Sequence, residues 1–229
     1  MRLDKFISEN TGLTRSQAAK SLRQSAVRIN GEIVKDGAFK VSSQDEIYFQ
    51  DKPLNWVESG QYFMLNKPQG YVCSHDETDY PNIYRFFDYP LSIKLHSVGR
   101  LDVDTTGLIL LTDDGQWSHR ITSPKYYCEK TYLVTLADPI ESFYEEKFVK
   151  GILLRGEKTL TKPAHLEILD DYCVNLTITE GRYHQVKRMF AALGNKVIAL
   201  HRWKIGNITL DESLAEGEFR PLTEIEKIL

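Results

Sequence analysis

Between Gly99 and Leu111 a stretch dense in polar groups, Gly99-Arg100-Leu101-Asp102-Val103-Asp104-Thr105-Thr106-Gly107, runs without a spacer into the apolar strand Leu108-Ile109-Leu110-Leu111. The chain must therefore build a charged, hydroxyl-rich loop against the end of an apolar strand. A carboxylate preceded by a guanidinium and followed by hydroxyls is well supplied with partners, and cations and hydrogen-bond donors favour its charged form. An ionised carboxylate is a usable nucleophile. Taken alone, an Asp in a Gly-bounded loop is more often a turn-stabilising residue than a catalyst, so the rest of the chain has to decide.

Ahead of this loop, Leu3, Phe6 and Ile7 recur at helical spacing and Thr11-Gly12 stops the first helix. Thr14 or Ser16 caps a second helix through Leu22, which leaves Arg15, Lys20 and Arg23 available to solvent. Val27-Arg28-Ile29 and Glu32-Ile33-Val34 alternate around Asn30-Gly31, a pair suited to the positive φ angles of a hairpin turn. The polar, Pro-containing segment Gln50-Asp51-Lys52-Pro53-Leu54-Asn55 is expected to begin a linker near residues 51–60. That gives a small domain over 1–58 and a larger one over 59–229.

In the larger part, strand-like runs cover Tyr62 to Leu65, Leu108 to Leu111, Thr131 to Leu136, His165 to Leu169, Val174 to Thr179 and Lys196 to Leu200. Helical spacing marks Ser142 to Lys150 and Tyr183 to Leu193, the latter stopped by Gly194. On that second helix Val186, Phe190 and Leu193 form an apolar stripe with Lys187 at its margin and His184 and Arg188 on the opposite face. Pro221-Leu222-Thr223 starts a last short helix, with Glu226 placed as in a capping box. Strands with scattered helices, without strict alternation, predict an α+β fold: a central mixed, mainly antiparallel sheet flanked by helices.

The overall charge of −3 hides a segregation. Residues 1–42 carry eight Lys/Arg against four Asp/Glu (+4) and residues 180–205 six against one (+5), so the other 161 residues carry −12. Two basic segments on an acidic body suit an RNA-binding protein, since phosphate contacts depend on local surface charge. No stretch approaches the roughly 20 apolar residues of a membrane span and the N-terminus has no apolar signal core, so the expectation is a cytoplasmic protein with no membrane partner. Cys73, Cys128 and Cys173 are odd in number and far apart, which favours free thiols over disulfides or a metal site.

Two short basic helices followed by Val-Arg-Ile-Asn-Gly resemble, over about residues 1–50, the RNA-binding domain first known from ribosomal small-subunit protein four. Gly99-Arg100-Leu101-Asp102-Val103-Asp104-Thr105-Thr106-Gly107-Leu108 resembles the signature of the pseudouridine synthases of the RsuA type. Three further motifs follow that family's order: Asn66-Lys67-Pro68-Gln69-Gly70, Lys130-Thr131-Tyr132, and Glu180-Gly181-Arg182-Tyr183-His184-Gln185-Val186-Lys187-Arg188-Met189. The resemblance implies that Asp102 is the catalytic aspartate, that Tyr132 packs against the uracil, and that Lys187 pairs with the aspartate where many relatives carry Arg. It also implies that Arg100 fills the stack left by the target base, that Leu176 joins the apolar wall, and that Lys67 and Arg182 contact substrate. Arg2, Arg15, Lys20, Arg23, Arg28 and Arg188 are the candidate RNA-binding residues.

A uracil inside folded RNA hides its glycosidic bond, so the enzyme must extrude it, at a cost of a few kcal/mol. Stacking on an aromatic ring recovers roughly 1–3 kcal/mol. The reaction implied detaches uracil from C1′ and rejoins it through C5; no redox step or external group enters, so neither cofactor nor metal is expected. The similarity extends through Gln116-Trp117-Ser118-His119-Arg120-Ile121 and points to 16S ribosomal RNA, free or in an assembly intermediate, with uridine 516 as the family's expected site and a monomeric enzyme. The alternatives are a synthase for 23S RNA, a non-catalytic RNA-binding factor, and a phosphohydrolase of the haloacid dehalogenase type, whose Asp-x-Asp-x-Thr pattern Asp102 to Thr106 also fits.

Overall fold

The computed structural model describes residues 1–54, 56, 60–76, 79–88 and 91–228, which fall into two compact units: Met1–Ser59 with Asp88–Lys94, and Gly60–Phe87 with Leu95–Leu229. In the first unit, α1 (Leu3–Thr11) ends on Gly12 at φ 72°, the left-handed conformation that closes a helix most cheaply at glycine. Helix α2 (Arg15–Arg23) starts at Thr14, not Ser16, because Thr14 and Gln17 form a reciprocal capping box. Strands β1 (Val27–Ile29) and β2 (Glu32–Ile33) flank Asn30 and Gly31, both at positive φ, as a tight hairpin turn requires. Strands β3 (Ile47–Phe49) and β4 (Lys52–Leu54) complete a sheet of order β2-β1-β3-β4. The short helix α3 (Leu91–Lys94) also belongs here. Leu3, Phe6, Ile7, Ala18, Leu22, Val27 and Ile47 form the core, with Trp56 against Phe6.

The expected linker is corrected by β4. Gln50 and Asp51, at φ 49° and 60°, make a second tight turn, and Pro53 sits on an edge strand where its missing N–H costs no ladder bond. The polar composition marked a hairpin; Asn55 and residues 57–59 of that segment lie outside the described residues.

The second unit holds a nine-stranded sheet built from β5 (Tyr62–Lys67), β6 (His96–Ser97), β7 (Thr106–Thr112), β8 (Lys130–Leu136), β9 (His165–Ile168), β10 (Cys173–Ile178), β11 (Val197–Ile205), β12 (Ile208–Thr209) and β13 (Phe219–Pro221). Its main order is β13-β5-β7-β11-β8-β10-β9. Every pairing is antiparallel except β7 with β11, so the fold is α+β with a mixed, mainly antiparallel sheet. Helices α4 (Gly115–Thr122), α5 (Tyr144–Lys150), α6 (Gln185–Ala192) and α7 (Glu224–Lys227) complete the unit. Trp117 and Ile121 of α4 pack on Met64, Leu108 and Leu110 of the central strands. Pro221 ends β13, where a helix start was expected; Thr223 caps α7 with Glu226. Among the described residues no helix is long and apolar enough to cross a membrane.

Candidate active site around Asp102

The loop carrying Asp102 leads straight into β7 and is pinned from beneath. Lys67, wholly buried at the end of β5, donates from Nζ to the carbonyls of Thr105 (2.7 Å) and Pro68 (3.0 Å), with that of Val103 at 3.5 Å. Gly70 N–H donates to the Val103 carbonyl at 2.7 Å, and Leu101 N–H meets the Cys73 sulfur at 3.4 Å. Burial pushes the Lys67 ammonium below its ordinary range, with the nearby Cys73, Asp104 and Asp102 working the other way. Lys67 thus holds the loop; with no exposed surface it cannot touch a substrate, which corrects the expectation of direct contact.

At the other end of the loop, Gly107 has φ 98°, and a Cβ there would lie 2.3 Å from the carbonyl oxygen of Arg202 on β11. Only glycine allows the parallel pair β7 and β11 to close at this point. Arg202 is itself buried, donating from Nε to the Leu108 carbonyl at 2.8 Å, with its guanidinium 5.9 Å from the Tyr132 ring centre.

The Asp102 carboxylate meets two residues from the start of α6. Lys187 Nζ donates to Oδ2 at 2.9 Å, and His184 Nε2 lies 3.3 Å from Oδ1. Lys187 also donates to Asp104 Oδ1 at 2.5 Å, so one ammonium bridges two carboxylates instead of gripping one in a fork as an arginine could. Burial works to lower Lys187, but its hydrogen bonds to Asp104 and Asp102 outweigh it and the net shift is upward. For Asp104 burial pulls upward and the Lys187 bond and charge prevail, leaving it below the usual carboxylate range.

His184 was expected on the face of the helix away from the apolar stripe; the structure corrects this. Helical geometry begins only at Gln185, and His184, as the N-cap at φ 47°, leaves the 100° progression and points to Asp102. Its ring is stacked on Tyr183 at 3.8 Å.

Asp102, Arg100, Tyr132, Arg182, His184 and Lys187 line one cleft of about 90 Å³, together with Ile178 and Leu200. Tyr132 is nearly buried, whereas Arg100 is exposed at the rim. Leu176 lies directly across from Tyr132 in the β8–β10 pair but is wholly buried and outside the lining. The apolar wall falls to Ile178, two residues on along the same face of β10, and to Leu200.

Arg182 is committed to the protein: its guanidinium donates to the Thr159 (3.0 Å) and Leu160 (2.6 Å) carbonyls and approaches Glu180. Arg188 likewise donates to the Tyr183 and Arg155 carbonyls and pairs with Glu157 at 3.1 Å, so its cation is already partnered. In the first unit Arg2 and Arg15 converge on Asp4, at 2.9 and 3.1 Å, and remain about half exposed. Lys20, Arg23 and Arg28 are exposed, and Arg28 lies 3.8 Å from Asp51. His184, Ile178 and Leu200 were not picked out from the sequence as site residues. The period-two alternation of β10 held the signal for Ile178; an N-cap in the left-handed conformation leaves none in apolar spacing.

Residues 61–192 match the RNA pseudouridylate synthase family and residues 1–47 the S4 domain. The ribosomal small subunit pseudouridine synthase A of Haemophilus influenzae is 76% identical over the full length of both chains. The enzyme of the same name from Escherichia coli K12 is 57% identical over 99% of this chain and 98% of its own. A crystal structure of a pseudouridylate synthase, 75% identical, covers 99% of this chain and 98% of its own with a TM-score of 0.73.

Proposed function

Because this chain belongs to the RNA pseudouridylate synthase family and carries an S4 RNA-binding domain, we propose that it isomerises a single uridine of 16S ribosomal RNA, uridine 516, to pseudouridine in the cytoplasm. The observation that carries the reading is one carboxylate, Asp102, bracketed by Lys187 and His184 in a cleft whose other walls are Tyr132, Ile178 and Leu200. A polar reactive group facing an aromatic and aliphatic slot suits a flat, flipped-out base with its sugar turned to the acid.

In this reading Asp102 acts on the ribose. Attack at C1′ and abstraction of a sugar proton to give a glycal both use one ionised carboxylate, and the ammonium 2.9 Å away favours that ionisation. Tyr132 stacks on the uracil while N1–C1′ breaks and C5–C1′ forms, with the C5 proton given up to solvent and one taken up at N1. Ile178 and Leu200 form the apolar wall beside the detached base. Arg100, exposed two residues before Asp102, enters the vacated stack. Ligand sites ordinarily span about 300–1000 Å³; with about 90 Å³ here, a nucleotide enters by displacing the exposed Arg100 at the rim. Lys20, Arg23 and Arg28 of the S4 domain supply phosphate contacts. A phosphohydrolase of the haloacid dehalogenase type needs a parallel, doubly wound sheet, which this mainly antiparallel one is not.

Asp102→Asn is the deciding variant. It should abolish pseudouridine formation while RNA affinity stays within about threefold of the parent, since the fold and the basic surfaces are untouched. Mapping pseudouridine in ribosomal RNA from a deletion strain completes the test; small-subunit RNA that is still modified at that uridine rejects the substrate assignment.

A further inference from the structure

The segment between α4 and the Tyr132 strand leaves two consecutive tyrosines in solvent: Tyr126 is 56% and Tyr127 64% exposed. They sit in a local cluster of cations. Arg120, Lys125 and Lys130 stand against Glu129 alone over residues 119–130, within a body that carries −12 outside its two basic segments. Lys162, in the segment between α5 and β9, donates to the Pro124 carbonyl at 3.0 Å and lies 4.0 Å from the Tyr127 ring centre. His119 meets the Tyr126 ring edge-on. Beside the rings runs an open groove of about 630 Å³, bounded by Arg120, Tyr126, Tyr127, Asn207 and Ile228, within the range that small ligands occupy.

This patch is joined to the Asp102 cleft through one carboxylate. Glu180 accepts from the Lys162 backbone N–H at 2.9 Å, from Gln185 Nε2 at 3.0 Å and from Arg182 Nε at 3.3 Å, and both Gln185 and Arg182 line the cleft. Exposed aromatic faces interleaved with cations are what unpaired nucleotides need: a ring for each base and a charge for its phosphate. We propose that Arg120, Lys125, Tyr126, Tyr127 and Lys162 form a docking track for unpaired substrate nucleotides flanking the target uridine. The proposal rests on the synthase reading above and adds to it a second point of contact outside the base pocket and outside the S4 domain.

The full-length protein carrying Tyr126→Ala and Tyr127→Ala, compared with the Tyr→Phe pair and with Lys125→Gln, tests it by equilibrium binding and steady-state kinetics on protein-free small-subunit RNA. Each lost base stack raises Kd and KM by about 5- to 150-fold, with kcat near the parent value and with the Phe pair restoring affinity. Lys125→Gln, a surface change that leaves the fold intact, lowers the slope of log K against log salt by about 0.7. An Ala pair that melts normally yet binds within twofold of the parent, or an unchanged salt slope, overturns the track. So does an affinity loss seen only when ribosomal proteins coat the RNA, because the patch would then face a protein. A parent enzyme that modifies no small-subunit uridine, on protein-free RNA or on an assembly particle carrying ribosomal proteins, overturns the functional reading itself, which separates the two failures.

Discussion

A carboxylate gripped by an ammonium on one oxygen and an imidazole on the other has little freedom to turn, and at Asp102 both partners come from the first residues of α6. Lys187→Met would leave Asp102 and Asp104 facing one another without their shared cation. Hydrogen bonds to charged groups are worth about 1.5–3 kcal/mol, so the single-turnover rate should fall roughly 10- to 150-fold, while Lys187→Arg keeps most of it; an unchanged rate in the Met variant would make Lys187 a spectator. Lys67 poses the opposite case, a buried cation answered only by carbonyls. Lys67→Met removes a desolvated charge but leaves the Thr105 and Pro68 carbonyls without this donor, at about 1–3 kcal/mol for each acceptor left unsatisfied, so unfolding free energy should fall by about 1–3 kcal/mol. The loop that Lys67 holds would loosen, and kcat should drop more than about tenfold with KM little changed. Equal losses in kcat and stability would mean Lys67 is structural and nothing more.

At the level of elements, the pair β7–β11 fixes where the Asp102 loop ends. Among the described residues it is the sheet's one parallel pairing, and it is possible because Gly107 admits the Arg202 backbone. Gly107→Ala meets both a left-handed φ and a carbonyl oxygen 2.3 Å from the new methyl. The conformational penalty alone is about 1–2 kcal/mol, and with the clash the loss measured by urea unfolding should exceed about 2 kcal/mol. A cost below about 1 kcal/mol would show that the strands can part there without harm. The start of α6 is the complementary device: four consecutive residues, His184, Gln185, Val186 and Lys187, line the cleft because the N-cap breaks the helical progression.

Across the whole molecule, each unit carries a carboxylate held far below its ordinary range by arginine. In the first, the Arg2 hydrogen bond, then Arg15, hold Asp4 at about 2 against its burial. In the second, the Arg220 hydrogen bond leads in lowering Glu226 to about 2, again against burial. A group whose folded pKa is depressed adds stability that is present above its unfolded value, about 4 to 4.5, and lost as pH falls through the folded one. These two carboxylates leave thermal unfolding unchanged from pH 7 to about 4.5 and lose their contribution between about 4 and 2. His96 and His201, both pushed down by burial, already withdraw stability as pH falls below about 6.5. In Glu226→Gln the acid decline should be shallower; a decline identical to the parent's would mean that Glu226 is not among its sources.

Helices α1, α2, α5, α6 and α7, the Asn30-Gly31 hairpin and the central strands were legible in the chain, because caps, turn residues and apolar spacing act over a few neighbouring positions. Helices α3 and α4 were not read from it, and the four motifs were legible by resemblance. Asp102, Tyr132 and Lys187, singled out on motif resemblance, line one cleft in the structure. What only tertiary structure decided are relations between residues far apart in the chain. Lys67 became a buried support because β5 runs beneath the loop at 99–105. His184 reached Asp102 through a backbone conformation that periodicity cannot express. Arg188 was taken up by Glu157, 31 residues away, and Asp88 and Leu91–Lys94 joined the N-terminal unit across the 28 positions from Gly60 to Phe87. Local chemistry writes the elements; through-space contacts, unconstrained by sequence distance, choose which side chains meet and which stay free for RNA.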